Sequence, residues 1–304
     1  MHYAIETNSL VKIYSGKKVI DEVSMHIPEG SIYGFVGENG SGKTTIMRLL
    51  MGLANPTKGT YSLFGVDRKD NKIYTIRKNV SAIVETPSIV TSMTAYQNLE
   101  YACHYFGIKN YKEVIPSLLE QVGLADVGKK KAGNFSLGMR QRLGIALLLL
   151  NKPRLILLDE PMNGLDPTGV AELRDIIINL NKQGITFLIS SHILSELEKV
   201  ATHWGFISHG KIIKELSNED LGLECKKSTD LAYHDLDKLE EALKDIGIKE
   251  LLRSPNHIRI FDDILPIDIL TKLSKKGIEI KTIRTNDVNV EEYYLSLVGG
   301  ARHV

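Results

Sequence analysis

The run Gly37-Glu38-Asn39-Gly40-Ser41-Gly42-Lys43-Thr44 limits what this chain can fold into more than any other stretch. It lies between residues 32–36, which read as a short buried strand, and residues 44–50, which read as a helix closing at Gly52. Glycines at these spacings let successive backbone N–H groups turn inward around phosphate oxygens, and the helix N-terminus adds a positive dipole end. Lys43 then reaches the β and γ phosphates of a nucleotide. Thr44 offers its hydroxyl to Mg2+, a hard cation that prefers oxygen ligands. A glycine-rich surface turn could match the string by accident, but it would not carry the flanking strand and helix.

A second chemical element is Leu155-Ile156-Leu157-Leu158-Asp159-Glu160, an apolar strand ending in two consecutive acids. Adjacent carboxylates at the end of a buried strand are costly unless a cation or a water occupies them. Because side chains alternate along a strand, the two acids take different tasks. Asp159 is assigned to the metal, and Glu160 to the attacking water as general base. The bland alternative, two solvated acids at a strand exit, is weakened by the phosphate loop upstream.

The 304 residues suggest about two domains. Lys+Arg 38 against Asp+Glu 37 leaves a formal charge of +1, so no overall basicity argues for a nucleic-acid partner. Cys103 and Cys225 lack metal-ligand spacing and are expected to pack as small apolar groups in a reducing, cytosolic setting. The N-terminus has no signal-like pattern, and no apolar stretch approaches the ~18 residues needed to span a bilayer. Any membrane part would be another chain.

Residues 4–13 and 18–27 alternate like an antiparallel strand pair, and 60–66 is a further strand candidate. The pattern is helical from 93 to 150, with breaks expected at Gly107, Pro116 and 123–128. Strands at 155–158 and 185–189 around a helix at 170–180 read as a βαβ unit, and 204–208 with 211–215 as a closing hairpin. Beyond Leu221, helical spacing at 236–246 and 269–273 mixes with strand-like alternation at 258–260 and 278–283. His234 and His257 are isolated there and read as structural or surface residues.

Over residues 1–220 these features, in this order, resemble the ATP-binding subunit of an ATP-binding cassette (ABC) transporter. The resemblance implies an α/β P-loop cassette with an antiparallel β subdomain and a helical insertion at about 86–150. A small α+β accessory domain would follow over 221–304. It implies ATP and Mg2+ as ligands, with Gly37, Glu38, Asn39, Gly40, Ser41, Gly42, Lys43, Thr44 and Thr45 cradling the phosphates. Tyr14 resembles the aromatic that stacks on adenine, and His192 the histidine that contacts the γ phosphate. Asn134-Phe135-Ser136-Leu137-Gly138-Met139-Arg140-Gln141-Arg142 resembles the cassette signature, with Ser136 and Gly138 carried over and Leu137 and Met139 departing from it. Asn163-Gly164-Leu165-Asp166 resembles the loop that meets a partner subunit. Ser136 opens an apolar helix, so its hydroxyl would cap that helix whatever else it does.

A single cassette carries one phosphate loop, and in the family the signature of one subunit covers the nucleotide of another. The resemblance therefore implies a homodimer with two composite sites, joined to a transmembrane permease on a separate chain, at the cytoplasmic face of the membrane. Glu85, where the family usually has Gln, resembles the branch of bacitracin-resistance and lantibiotic self-protection cassettes, and implies a role at Mg2+ or its water. The resemblance thus implies export of, or resistance to, a membrane-active peptide or related compound, unless Glu85 is a neutral variation in an unrelated exporter. The alternative is a soluble cassette ATPase acting on ribosomes or DNA, which would typically show tandem cassettes, a coiled-coil insertion or zinc cysteines.

Overall fold

The computed structural model describes residues 2–225, 228–249, 251–262, 264–286 and 290–300, which divide into compact units Met1–Asn218 and Glu219–Val304. In the first unit, β1 (Tyr3–Tyr14), β2 (Lys17–Pro28), β3 (Ile32–Val36) and α1 (Lys43–Leu50) are followed by β4 (Lys58–Leu63), β5 (Val66–Asp67), α2 (Ile73–Arg77) and β6 (Val80–Ile83). Then come α3 (Ala95–Phe106), α4 (Tyr111–Gln121), α5 (Leu137–Leu149), β7 (Leu155–Asp159), α6 (Pro167–Lys182), β8 (Thr186–Ser191), α7 (Leu194–Leu197), β9 (His203–Ser208) and β10 (Lys211–Ser217).

Two sheets frame this unit. An antiparallel sheet runs β2-β1-β4-β5, and a second runs β10-β9-β3-β8-β7-β6, parallel except for its edge strand β10. Strand β3 is apolar and buried along its whole length, as a central parallel strand must be when both faces are covered. One core joins Ile5, Ile20 and Met25 of the antiparallel sheet to Ile46 and Leu49 of α1 and to Leu157 and Leu188 of the parallel sheet. Helix α1 is thereby clamped directly behind the glycine-rich loop. Cys103 is fully buried in α3, where desolvation and then the charge of Glu100 push its thiol pKa up, while Cys225 is only half-buried.

Three local expectations need correction. The strand expected over 60–66 is a hairpin: Phe64 and Gly65 both have positive φ, 49° and 77°, and turn β4 back on β5. Pro116 does not break its helix. It removes one ladder donor from α4, while burial of Ile115, Leu118 and Leu119 on the same helix outweighs that loss. Ile278 belongs to a helix end rather than to a strand, as shown below.

Helix α8 (Asn218–Glu224) begins on the last residue of the first unit, and the second unit continues with β11 (Ser228–Ala232), α9 (Leu236–Asp245), β12 (Leu251–Arg253), β13 (Ile258–Ile260), α10 (Pro266–Lys275), β14 (Thr282–Asn286) and α11 (Val290–Gly300). From β11 to β14 the order is βαββαβ, with an antiparallel sheet β12-β13-β11-β14, the split-βαβ arrangement. Leu231, Leu239, Leu243, Ile258 and Leu273 fill its core. Gly277, at φ 72°, ends α10 and lets the Ile278 N–H donate to Leu273 O at 3.1 Å, so Ile278 packs as the apolar residue of a helix C-cap.

One polar contact ties the two sheets of the first unit. The Tyr33 hydroxyl donates to Glu215 Oε1 at 2.7 Å, and the same carboxylate accepts from the His26 N–H at 2.9 Å and meets His26 Nδ1 at 3.1 Å. Burial, and secondly the charge of Glu215, drive the Tyr33 pKa well up, so the phenol stays a donor. Its ring crosses Gly205, where an added Cβ would stand 2.1 Å from the hydroxyl. Gly205→Ala is expected to destabilise the fold by about 1–3 kcal/mol through this overlap. Urea denaturation checks it, and an unchanged midpoint would show that Tyr33 can move aside freely.

Candidate functional site

The loop before α1 is shaped by close approaches that only glycine allows. A Cβ on Gly37 would lie 2.5 Å from Ile207 O and 2.6 Å from Ser41 Oγ, and Gly42 has φ 113° with Ile20 Cδ1 only 2.5 Å from its Cβ position. The Ser41 carbonyl is tied to the Gly210 N–H at 3.0 Å, so the hairpin between β9 and β10 braces the loop from below. Ser41 Oγ is buried and has no hydrogen-bond partner. Lys43 is only 5 % exposed, and its ammonium donates to Gly37 O at 2.6 Å and Glu38 O at 3.2 Å. A cavity of about 190 Å3 opens here, lined by Val19, Asn39, Gly40, Gly42, Lys43, Thr44, Thr45 and Glu160.

The paired carboxylates reach the same place from the end of β7. Thr44 Oγ1 donates to Asp159 Oδ2 at 2.6 Å, and Ser190 Oγ donates to Asp159 Oδ1 at 2.5 Å, so both carboxylate oxygens are held. Glu160 has φ 49°, a left-handed conformation that costs a non-glycine residue about 1–2 kcal/mol. That kink offsets the strand alternation, which would have sent Glu160 to the opposite face from Asp159. Glu160 Oε2 accepts from the His192 ring at 2.7 Å and from the His192 N–H at 3.3 Å. Its Oε1 lies 3.2 Å from Lys43 Nζ, an ion pair off the hydrogen-bonding direction, which leaves Oε1 without a hydrogen bond. Lysine, acid and histidine thus form one chain across the cleft.

Other expected site residues lie elsewhere. Tyr14 ends β1, 43 % exposed, with the Lys12 ammonium 4.6 Å from its ring centroid. Glu85 is exposed, has φ 70°, and ion-pairs with Arg48 on α1 rather than joining Thr44 and Asp159. Ser136 caps α5 by accepting the Met139 N–H at 3.2 Å, and Gly138 lies against Gly169, where a Cβ would be 3.6 Å from the Gly169 Cα. Asp166 caps α6 through the Gly169 N–H at 2.9 Å, so the two helix N-termini sit side by side. Sequence reasoning missed Val19, Arg48 and Ser190. The first two carry no local signal, and Ser190 showed only as a polar residue closing the apolar run of β8.

Thr44 and Asp159 supply hard oxygen donors close together, a donor set that fits Mg2+, and the buried, partnerless hydroxyl of Ser41 adds a polar group beneath the loop. The family model described as ABC transporter matches residues 20–163. The chain is 40 % identical over 305 residues to the bacitracin transport ATP-binding protein BcrA of Bacillus licheniformis, covering 99 % of each. It is 43 % identical over 213 residues to the lantibiotic transport ATP-binding protein SrtF of Streptococcus pyogenes, covering 69 % of this chain and 90 % of that one. A crystal structure of a nucleotide-free ATP-binding cassette from an ABC transporter matches with a TM-score of 0.64 and 25 % identity, over 72 % of this chain and 93 % of the other.

The tight fit around Gly37 makes it a sharper probe of the loop than the exposed Gly40, whose Cβ would meet nothing within 4 Å. Gly37→Ala is expected to weaken binding of a fluorescent ATP analogue about tenfold or more, while Gly40→Ala is limited to the strain of its positive φ. Equal affinities in a titration of both variants would mean that the loop's shape is not set at Gly37.

Proposed function

The chain belongs to the ATP-binding proteins of ABC transporters and is an ATPase, and from that premise we propose that it energises a separate membrane permease which exports a peptide antibiotic or related compound. The observation that carries the catalytic part is the chain Lys43–Glu160–His192 beside the Thr44–Asp159 contact. Incoming phosphates take Lys43 from the carbonyls of Gly37 and Glu38, satisfying a buried ammonium that must always have oxygen partners. A water proton then passes to Glu160 as the water oxygen bonds to the γ phosphorus and the bond from that phosphorus to the bridging oxygen of ADP breaks. His192 orients the Glu160 carboxylate through its ring contact. Mg2+, held by Thr44 and Asp159, would neutralise phosphate charge.

Tyr14 is assigned to the adenine face of the nucleotide. Ser136 and Gly138 are assigned to the nucleotide of a second copy, for which the exposed N-terminus of α5 is available. The permease is assigned to an apolar groove of about 400 Å3 whose lining includes Ile89, Val90, Tyr101, Tyr105 and Phe106. Tyr101 and Tyr105 are 60 % and 80 % exposed, a large unpartnered aromatic area for a helix of the partner to cover. Among the described residues no helix is long and apolar enough to cross a membrane, and a peripheral position on the cytoplasmic face, beside the permease, is part of the proposal. Peptide export rests on the likeness to the bacitracin and lantibiotic transport proteins and on Glu85. Residues from 221 onward are assigned to an accessory domain.

Lys43→Ala is expected to weaken ATP affinity by about two orders of magnitude, whereas Glu160→Gln keeps affinity within about threefold and lowers kcat about a hundredfold or more, because one acts in the ground state and the other in the transition state. Nucleotide titration and phosphate release separate them. Equal ATP affinity in both variants would remove the assignment of Lys43. The double change Tyr101→Ala, Tyr105→Ala is expected to abolish co-purification with the permease while leaving nucleotide affinity within about twofold. Intact co-purification would place the permease elsewhere.

A further inference from the structure

Glu160 can serve as base only if its backbone holds the left-handed kink and its side chain stays in the cleft. Its N–H makes a forked pair of bonds to one residue of β8, to Ser190 Oγ at 2.9 Å and to Ser190 O at 3.2 Å. The same hydroxyl donates its proton to Asp159 Oδ1 at 2.5 Å. Ser190 is fully buried and stands opposite Asp159 in the parallel register of β7 and β8. One hydroxyl therefore accepts from the residue assigned as base and donates to the residue assigned to the metal.

We propose that Ser190 is a positioning residue for ATP hydrolysis: its hydroxyl sets the kink at Glu160 and the carboxylate plane of Asp159 together. With Oδ1 engaged by Ser190, Oδ2 is the oxygen left to face Thr44. With the Glu160 N–H engaged, the chain leaves the strand in a conformation that returns the Glu160 side chain to Lys43 and His192. Ser190 itself touches no phosphate and acts only through Glu160 and Asp159, so the larger effect belongs on turnover and the smaller on nucleotide affinity. A structural hydroxyl of no catalytic consequence would instead lower stability alone. This role rests on the assignment of Glu160 as base.

The test compares Ser190→Ala, Ser190→Cys and Ser190→Thr with the wild type and with Glu160→Gln, normalising kcat to the number of sites that bind trinitrophenyl-ATP. Ser190→Ala and Ser190→Cys are expected to keep trinitrophenyl-ATP affinity within about threefold and to lose kcat by about tenfold or more, while Ser190→Thr, which retains a hydroxyl, returns kcat to within about threefold of the wild type. If Ser190→Ala does not accumulate as folded protein, the cysteine and threonine variants decide the matter between them. Wild-type kcat in the alanine or cysteine variant, or affinity and kcat falling in equal measure, would overturn the role of Ser190. Wild-type kcat in Glu160→Gln would overturn the base assignment and this role with it, so the two failures are distinguishable.

Discussion

A buried ammonium sets the terms for everything around it. Lys43 is almost wholly withdrawn from water, and an unpaired charge in that position would cost several kcal/mol, so its oxygen partners are obligatory. Two of them are backbone carbonyls of its own loop, Gly37 and Glu38, and the third is the side chain of Glu160 at the end of a different strand. The loop can supply carbonyls at this range only because Gly37 and Gly42 let the backbone pass within van der Waals contact of Ile207 and Ile20. Those apolar residues belong to β9 and β2, so both sheets of the first unit help to shape the lysine's surroundings. In the proposed role a phosphate would meet a cation that is already desolvated and would replace weak dipolar partners with a full negative charge.

The same economy of position governs the acids. Strand alternation and common function pull Asp159 and Glu160 in opposite directions, and the conflict is settled by a left-handed residue that the sequence gives no hint of, since glutamate has no preference for positive φ. The compensation comes from β8, whose penultimate residue, Ser190, lies in register with Asp159, and from His192, which directly follows the strand. The Ser190 and His192 contacts to Glu160 thus come from the end of one strand and the residue just after it. Small movements of the end of β8 would be felt at Glu160 and Asp159, the proposed base and metal ligand, together.

Legibility in the sequence followed the range of the interaction. The phosphate loop, β3, α1 and the acid-tipped β7 were readable because each is specified within a few residues by glycine spacing, apolar runs and a helix stop. Gly107 likewise announced the end of α3, where it sits at φ 71°. Pro116 misled because the burial that keeps α4 intact comes from other helices, and Ile278 misled because apolar alternation cannot tell a strand from the cap of a preceding helix. Glu85 was readable as an unusual residue, but its partner Arg48 was not, since their meeting depends on how the end of β6 passes α1. Ser190 was invisible for the same reason: its neighbours at the site are thirty residues away in sequence.

The residues that remain outside the cavity are themselves ordered, which bears on how a composite site could work. Ser136 is already engaged as a cap, and Asp166 caps the adjacent helix, so the N-termini of α5 and α6 are stable without any ligand. Gly138 and Gly169 bring them together at backbone contact distance, and Gly164 lies where an added Cβ would be 3.2 Å from Leu137. The segment around Ser136 and the loop after the acids therefore meet in one continuous, capped surface. In the proposed dimer little ordering entropy would be lost at this surface on assembly. In that proposed dimer the γ phosphate would have to contribute only the difference between open and closed pairs, and departure of the cleaved phosphate would remove the charge that the paired helix ends attract.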